Sequence, residues 1–141
     1  SMYNNILLAY DFDNSFNNVP KELENLTAHN DEARVTIFNV IPESDLQASV
    51  RYENKHFESL AEEKGEELTP FVQKLEDLGL KVRVRFSTGN IKNCLLTEIE
   101  QENYDIVVMS NKRAKPDIKN VLGNVTHKIA NSANIPVLIV K

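Results

Sequence analysis

The sequence predicts an α/β domain on a doubly wound parallel sheet, and three observations carry that reading. Apolar runs with few polar residues recur at residues 6–10, 35–41, 106–109 and 137–140, as in strands covered on both faces. The segments between them place apolar residues at helical spacing. The last unit, residues 104–141, reads as strand, loop, helix, strand, and its middle is long enough for a crossover helix between parallel strands. In such sheets ligands bind in the crevice beyond the strand ends, so function is sought after the first and fourth strands.

Taken in order, Ile6, Leu7, Leu8, Ala9 and Tyr10 form a central strand ended by the polar cluster Asp11, Asp13, Asn14, Ser15. Asn17 or Asn18 caps a short helix that carries Val19, Leu23 and Leu26, with Pro20 in its first turn, where a missing amide hydrogen costs nothing. Val35, Ile37, Phe38, Val40 and Ile41 give the second strand, closed by Pro42. Residues 43–51 have no clean period and read as loop. Residues 52–78 keep helical spacing through Phe57, Leu60, Ala61, Leu68, Phe71, Val72, Leu75 and Leu78, and Gly79 supplies a left-handed stop. Pro70 inside this stretch predicts either a kink or a second start capped by Thr69. Val82, Val84 and Phe86 alternate with Lys81, Arg83 and Arg85, the mark of an edge strand with one wet face. Gly89 and Asn90 turn the chain into a helix with Ile91, Leu95 and Ile99 inward, after which the fourth strand begins. The alternation of strands and helices calls for right-handed crossovers.

With 141 residues, 41% hydrophobic and 26% charged, the chain suits a single domain over residues 1–141. Ser1 ahead of Met2 reads as a residue left by cloning. No apolar run reaches the 18 or so residues of a membrane span, and the amino terminus lacks a signal pattern. A soluble cytoplasmic protein is expected. The net charge of −5 speaks against nucleic acid as a partner, because phosphate binding needs a basic face. Cys94, the lone cysteine, excludes an internal disulfide and a cysteine-only zinc site; its spacing from Ile91 marks it as a small inward hydrophobe.

Across nearly its whole length the chain resembles the universal stress protein family. The resemblance rests on the strand ending in Asp11 with Phe12 after it, the segment Asn39-Val40-Ile41-Pro42, the helix ending in Gly79, the turn Gly89-Asn90, the stretch 104–109, and the terminal Ile135-Pro136-Val137-Leu138-Ile139-Val140. It implies a three-layer α/β/α fold of five parallel strands in the order 3-2-1-4-5, with the last strand, Val137–Val140, pairing across a homodimer axis. It also implies an ATP site at Asp11, Val40, Met109, Ser110, Arg113, Gly123, Asn124 and Val125.

In ATP-binding members the phosphate loop runs glycine, two residues, glycine, nine residues, glycine, then serine or threonine. Here those positions hold Ser110, Arg113, Gly123 and Asn124, so one of four matches. Glycines in such loops let amides approach the anion, and a left-handed dihedral costs a non-glycine residue roughly 1 to 2 kcal/mol. Two such positions weaken phosphate binding by about one to two orders of magnitude. Lys112, Arg113, Lys115 and Lys119 could hold an anion by side chains instead; equally they form a solvated face, or Arg113 folds back on Asp11 or Asp13. Asn124 caps its own helix as readily as it meets a phosphate. The adenosine half is better kept, with Asp11 placed for ribose hydroxyls and Val40 for the adenine, although an aspartate after a strand is also an ordinary turn residue. Asp13 adds a second carboxylate that repels a triphosphate unless a cation intervenes.

Two other α/β readings fail. A phospho-receiver needs an aspartate ending the third strand, where Phe86 leads into Ser87 and Thr88. A flavodoxin needs a hydroxyl- and glycine-rich loop after the first strand, where Asp11 and Asp13 stand. No catalytic residue is expected, since His29, His56 and His127 adjoin no serine or cysteine in an elbow motif. Two functions remain. One is a dimeric stress or regulatory module whose nucleotide binding is weak or absent. The other is an ATP-binding protein using loop side chains, with slow hydrolysis and a divalent ion near Asp13.

Overall fold

Ile6, Leu7 and Leu8 have no exposed surface, and a strand so uniformly apolar belongs in the middle of a sheet. A computed structural model describes residues 3–115 and 121–141, except for the side chains of residues 121–124. The elements run β1 (Asn5–Ala9), α1 (Val19–Leu26), β2 (Arg34–Ile41), α2 (Glu43–Glu53), α3 (Phe57–Glu67), α4 (Thr69–Asp77), β3 (Lys81–Thr88), α5 (Ile91–Gln101), β4 (Ile106–Ser110), α6 (Val121–Ser132) and β5 (Val137–Val140). The strands form one sheet in the order β3-β2-β1-β4-β5, all parallel, the middle layer of an α/β/α fold. Ala9 pairs with Phe38 on one side and Met109 on the other. The chain therefore leaves β1 and β4 side by side.

Several helices depart from the sequence reading. Asn18 stands at the N-cap position of α1 without a side-chain capping bond; its amide donates instead to the Lys141 carbonyl at 2.8 Å. Residues 43–51, expected to be loop, belong to α2, which buries only Ser49. A helix with one buried residue leaves no hydrophobic period to read. Its signals are at its ends: Pro42 before it, Glu43 and Asp45 in its first turn, and Asn54 left-handed at φ 54° after it. That turn starts the next helix at Phe57 rather than at residue 52. The expected second start near Pro70 occurs, but Leu68, 1% exposed, occupies the cap position and Thr69 is already helical. Burial of Leu68 pins the break, and Pro70 falls where its missing donor is harmless.

β3 lies at an edge, as its alternation predicts, yet its charged side chains are engaged. Arg83 Nε donates to Thr36 Oγ1 at 2.7 Å and its guanidinium reaches Glu102 at 3.0 Å. Arg85 Nε lies 2.9 Å from Glu98. Glu98, only 5% exposed, also accepts from the Tyr104 hydroxyl at 2.7 Å. A carboxylate so buried persists because it is paired and hydrogen-bonded. Gly89, at φ +134°, turns β3 into α5, where Asn90 caps by accepting from the Asn93 amide at 3.0 Å.

Candidate functional site

Beyond the ends of β1 and β2 the chain opens a crevice of about 230 Å³. Its apolar surface comes from Ala9, Phe38, Val40, Ile91 and Leu95, and its charged rim from Asp11, Asp13, Asp45 and Lys64. Backbone geometry fixes the first wall: the Tyr10 amide donates to the Phe38 carbonyl at 2.9 Å, and the Asn39 side chain donates to the Tyr10 carbonyl at 2.9 Å. Asp11 Oδ1 then accepts from the Asp13 amide at 2.8 Å, a local turn that aspartate favours. Burial raises the Asp11 pKa above the ordinary value; the Asp13 hydrogen bond opposes that rise and the Asp13 charge adds to it.

Aromatic packing holds this loop in place. Tyr10 stacks on Phe16 at 4.4 Å, meets Phe12 edge-on at 5.0 Å, and leans on Phe71 of α4 at 5.6 Å. Lys64 of α3 places its ammonium 4.9 Å from the centre of the Phe12 ring, a cation–π contact of about 0.5 to 1 kcal/mol at an exposed site. The α3 helix thus closes one side of the crevice.

On the β4 side the described residues bond loop to loop. Ser110 ends β4 rather than beginning a loop and is 1% exposed. Its hydroxyl donates to the Ser15 carbonyl at 2.6 Å and accepts from the Lys112 amide at 3.3 Å. Asn14, 6% exposed, donates from its side chain to the Ser110 carbonyl at 3.1 Å. Asn14 and Arg113 form an antiparallel bridge, in which the Ser15 amide reaches the Lys112 carbonyl at 2.7 Å and the Ala114 amide the Asp13 carbonyl at 3.3 Å. The Asn111 amide donates to the Val140 carbonyl at 3.1 Å. The loop after β4 is stitched to the loop after β1, and the amides of Asn111, Lys112 and Ala114 already have partners.

Of the expected site residues, Asp11 and Val40 line the crevice together. Met109 and Val125 are buried, and Arg113 is exposed. Arg113 meets the β1 loop through backbone only, and no ion pair joins it to Asp11 or Asp13. Gly123 and Asn124 fall within α6, with their side chains outside the described residues, as Lys119 is altogether. Sequence reasoning missed Asn14, Asp45 and Lys64; Asn14 looked like a turn residue and Asp45 fell in a supposed loop. His29, His56 and His127 are all exposed, with His127 Nε2 3.3 Å from the Asn131 amide. Among the described residues no group of His, Cys, Asp or Glu could hold a metal, and no helix is long and apolar enough to cross a membrane.

A model of the universal stress protein family matches residues 2–141. Universal stress protein MJ0577 of Methanocaldococcus jannaschii is 32% identical over 91 residues, 64% of this chain and 56% of that protein, so the alignment spans little more than half of it. A solved structure of MJ0577 superposes with a TM-score of 0.79 at 28% identity, covering 100% of this chain and 97% of that one. UspA from Lactobacillus plantarum gives 0.73 at 17% identity over 100% and 99%. A universal stress protein from Archaeoglobus fulgidus, solved with dAMP, gives 0.65 at 16% identity over 100% of both chains; the latter two likenesses bear on fold alone. The match along nearly the whole sequence, on a sheet of the same order, means that this chain belongs to the universal stress protein family.

Proposed function

We propose that this chain is a single-domain, cytoplasmic stress or regulatory module that works as a homodimer, with a crevice that takes an adenosine moiety but grips a triphosphate weakly or not at all. In this reading Asp11 meets the ribose hydroxyls, the Val40 backbone meets the adenine, and Met109 and Val125 support the floor. The carrying observation is the stitch between the β1 and β4 loops. Among the described residues of the β4 loop, the amides of Asn111, Lys112 and Ala114 are bonded to Val140, Ser110 and Asp13, and exchanging those partners for a phosphate forfeits the bonds. Nucleic acid is no partner of so acidic a chain. Titration calorimetry with adenosine and with magnesium ATP tests the reading. Comparable affinities are expected; low-micromolar ATP binding far tighter than adenosine binding would overturn it.

A second reading is favoured by the exposed Lys112, Arg113 and Lys115 and by the relative solved with dAMP. These side chains would hold the phosphates of ATP, with a divalent ion near Asp13 and slow hydrolysis. It requires Arg113→Ala to abolish ATP binding, and unchanged affinity would end it. The homodimer is supported by β5, an apolar strand at the sheet edge that pairing would cover. Sedimentation that finds only a 16.0 kDa species would contradict it.

A further inference from the structure

We infer that the crevice selects a nucleoside without 5′ phosphates, and prefers one bearing a positive charge, over any nucleotide. This deepens the proposed function and rests on its adenosine reading. Among the described residues, three carboxylates, Asp11, Asp13 and Asp45, line the cavity against one ammonium, Lys64, a surplus of two negative charges (three less one). The Lys64 ammonium is already over the Phe12 ring. Among the described residues, two helix starts reach the crevice, beside Pro42 and Ile91, and would ordinarily attract anions. That of α2 has Glu43 and Asp45 in its own first turn, and that of α5 is capped by Asn90. Lys112, Arg113 and Lys115 are exposed on the far loop and do not line this cavity. At about 230 Å³ the space falls below the usual range of ligand pockets, which suits a body without a polyphosphate tail.

The test titrates the full chain at low salt with 5′-amino-5′-deoxyadenosine, adenosine, 5′-AMP and ATP, following amide resonances. Affinity is expected to fall in that order by roughly two- to fivefold per step, the scale of partly exposed charge pairs, and the spread should shrink at high salt. The Asp13→Asn/Asp45→Asn double variant, its fold checked by circular dichroism, should flatten the series. A flat series in the unmodified protein overturns this inference and leaves the proposed function standing. Affinity that rises with phosphate number overturns both. Failure of all four to bind removes the adenosine reading and this inference with it.

Discussion

The stitch between the β1 and β4 loops yields the most searching prediction, a double-mutant cycle on Ser110 and Asn14. Ser110→Ala removes the 2.6 Å bond to the Ser15 carbonyl and the 3.3 Å bond from the Lys112 amide. Each is a neutral bond of about 0.5 to 1.5 kcal/mol net, and the site is too buried for water to replace them freely. The expected loss is about 2 kcal/mol. Asn14→Ala removes one bond of 3.1 Å from a side chain 6% exposed, for about 1 to 1.5 kcal/mol. Because both side chains close the same pair of loops, the double variant should lose less than the sum, with a coupling of about 0.5 to 1 kcal/mol. Urea unfolding followed by circular dichroism reads these values directly. At a slope near 2 kcal/mol/M, Ser110→Ala lowers the midpoint by about 1 M. Ser110→Ala should bind ATP no more weakly than the unmodified chain, since it frees the Lys112 amide, a donor that a phosphate could otherwise use. Unchanged midpoints, or losses that simply add, would refute the claim that the two loops act as one body.

Two further predictions follow from buried carboxyls. Burial raises the Asp11 pKa above the ordinary 3.8, so the fold favours its protonated form. The stability this gives is full below the ordinary value and is lost as pH rises through the folded value. Asp11→Asn, whose amide oxygen can still accept from the Asp13 amide, should therefore gain midpoint relative to the unmodified chain as pH rises from about 3 to 7. It should also lose adenosine binding; a variant that lost ground with rising pH would contradict the burial argument. Glu98→Ala should cost about 2 kcal/mol, below the range for fully buried pairs because Arg85 reaches solvent. Glu98→Gln should cost about half as much, since its amide oxygen still accepts from the Tyr104 hydroxyl; equal unfolding midpoints for the two variants would sink this account.

What was legible in the sequence followed the physics of burial. Residues 6–10 and 106–109 announce central strands because both faces of such strands are covered. Lys81, Arg83 and Arg85 mark an edge because alternation survives only where one face is wet. The α2 helix escaped notice because it buries one side chain, Ser49, and so carries no period. The position of the break near Pro70 depended on Leu68 finding a buried place, which no local pattern encodes. The lining of the candidate crevice was legible only in part, for a related reason. Asp11 and Val40 follow apolar runs and could be placed. The bond between Asn14 and Ser110 joins residues 96 apart, and Lys64 enters the crevice only because α3 folds over Phe12.

The sheet has two unlike borders. On β3, positive side chains recur at every second residue along Lys81, Arg83 and Arg85, which discourages a further strand from docking there. On β5, the four residues of Val137–Val140 are without charge until Lys141. If the proposed homodimer forms through β5, the pair would present only its two β3 borders, whose charges oppose the docking of a further strand.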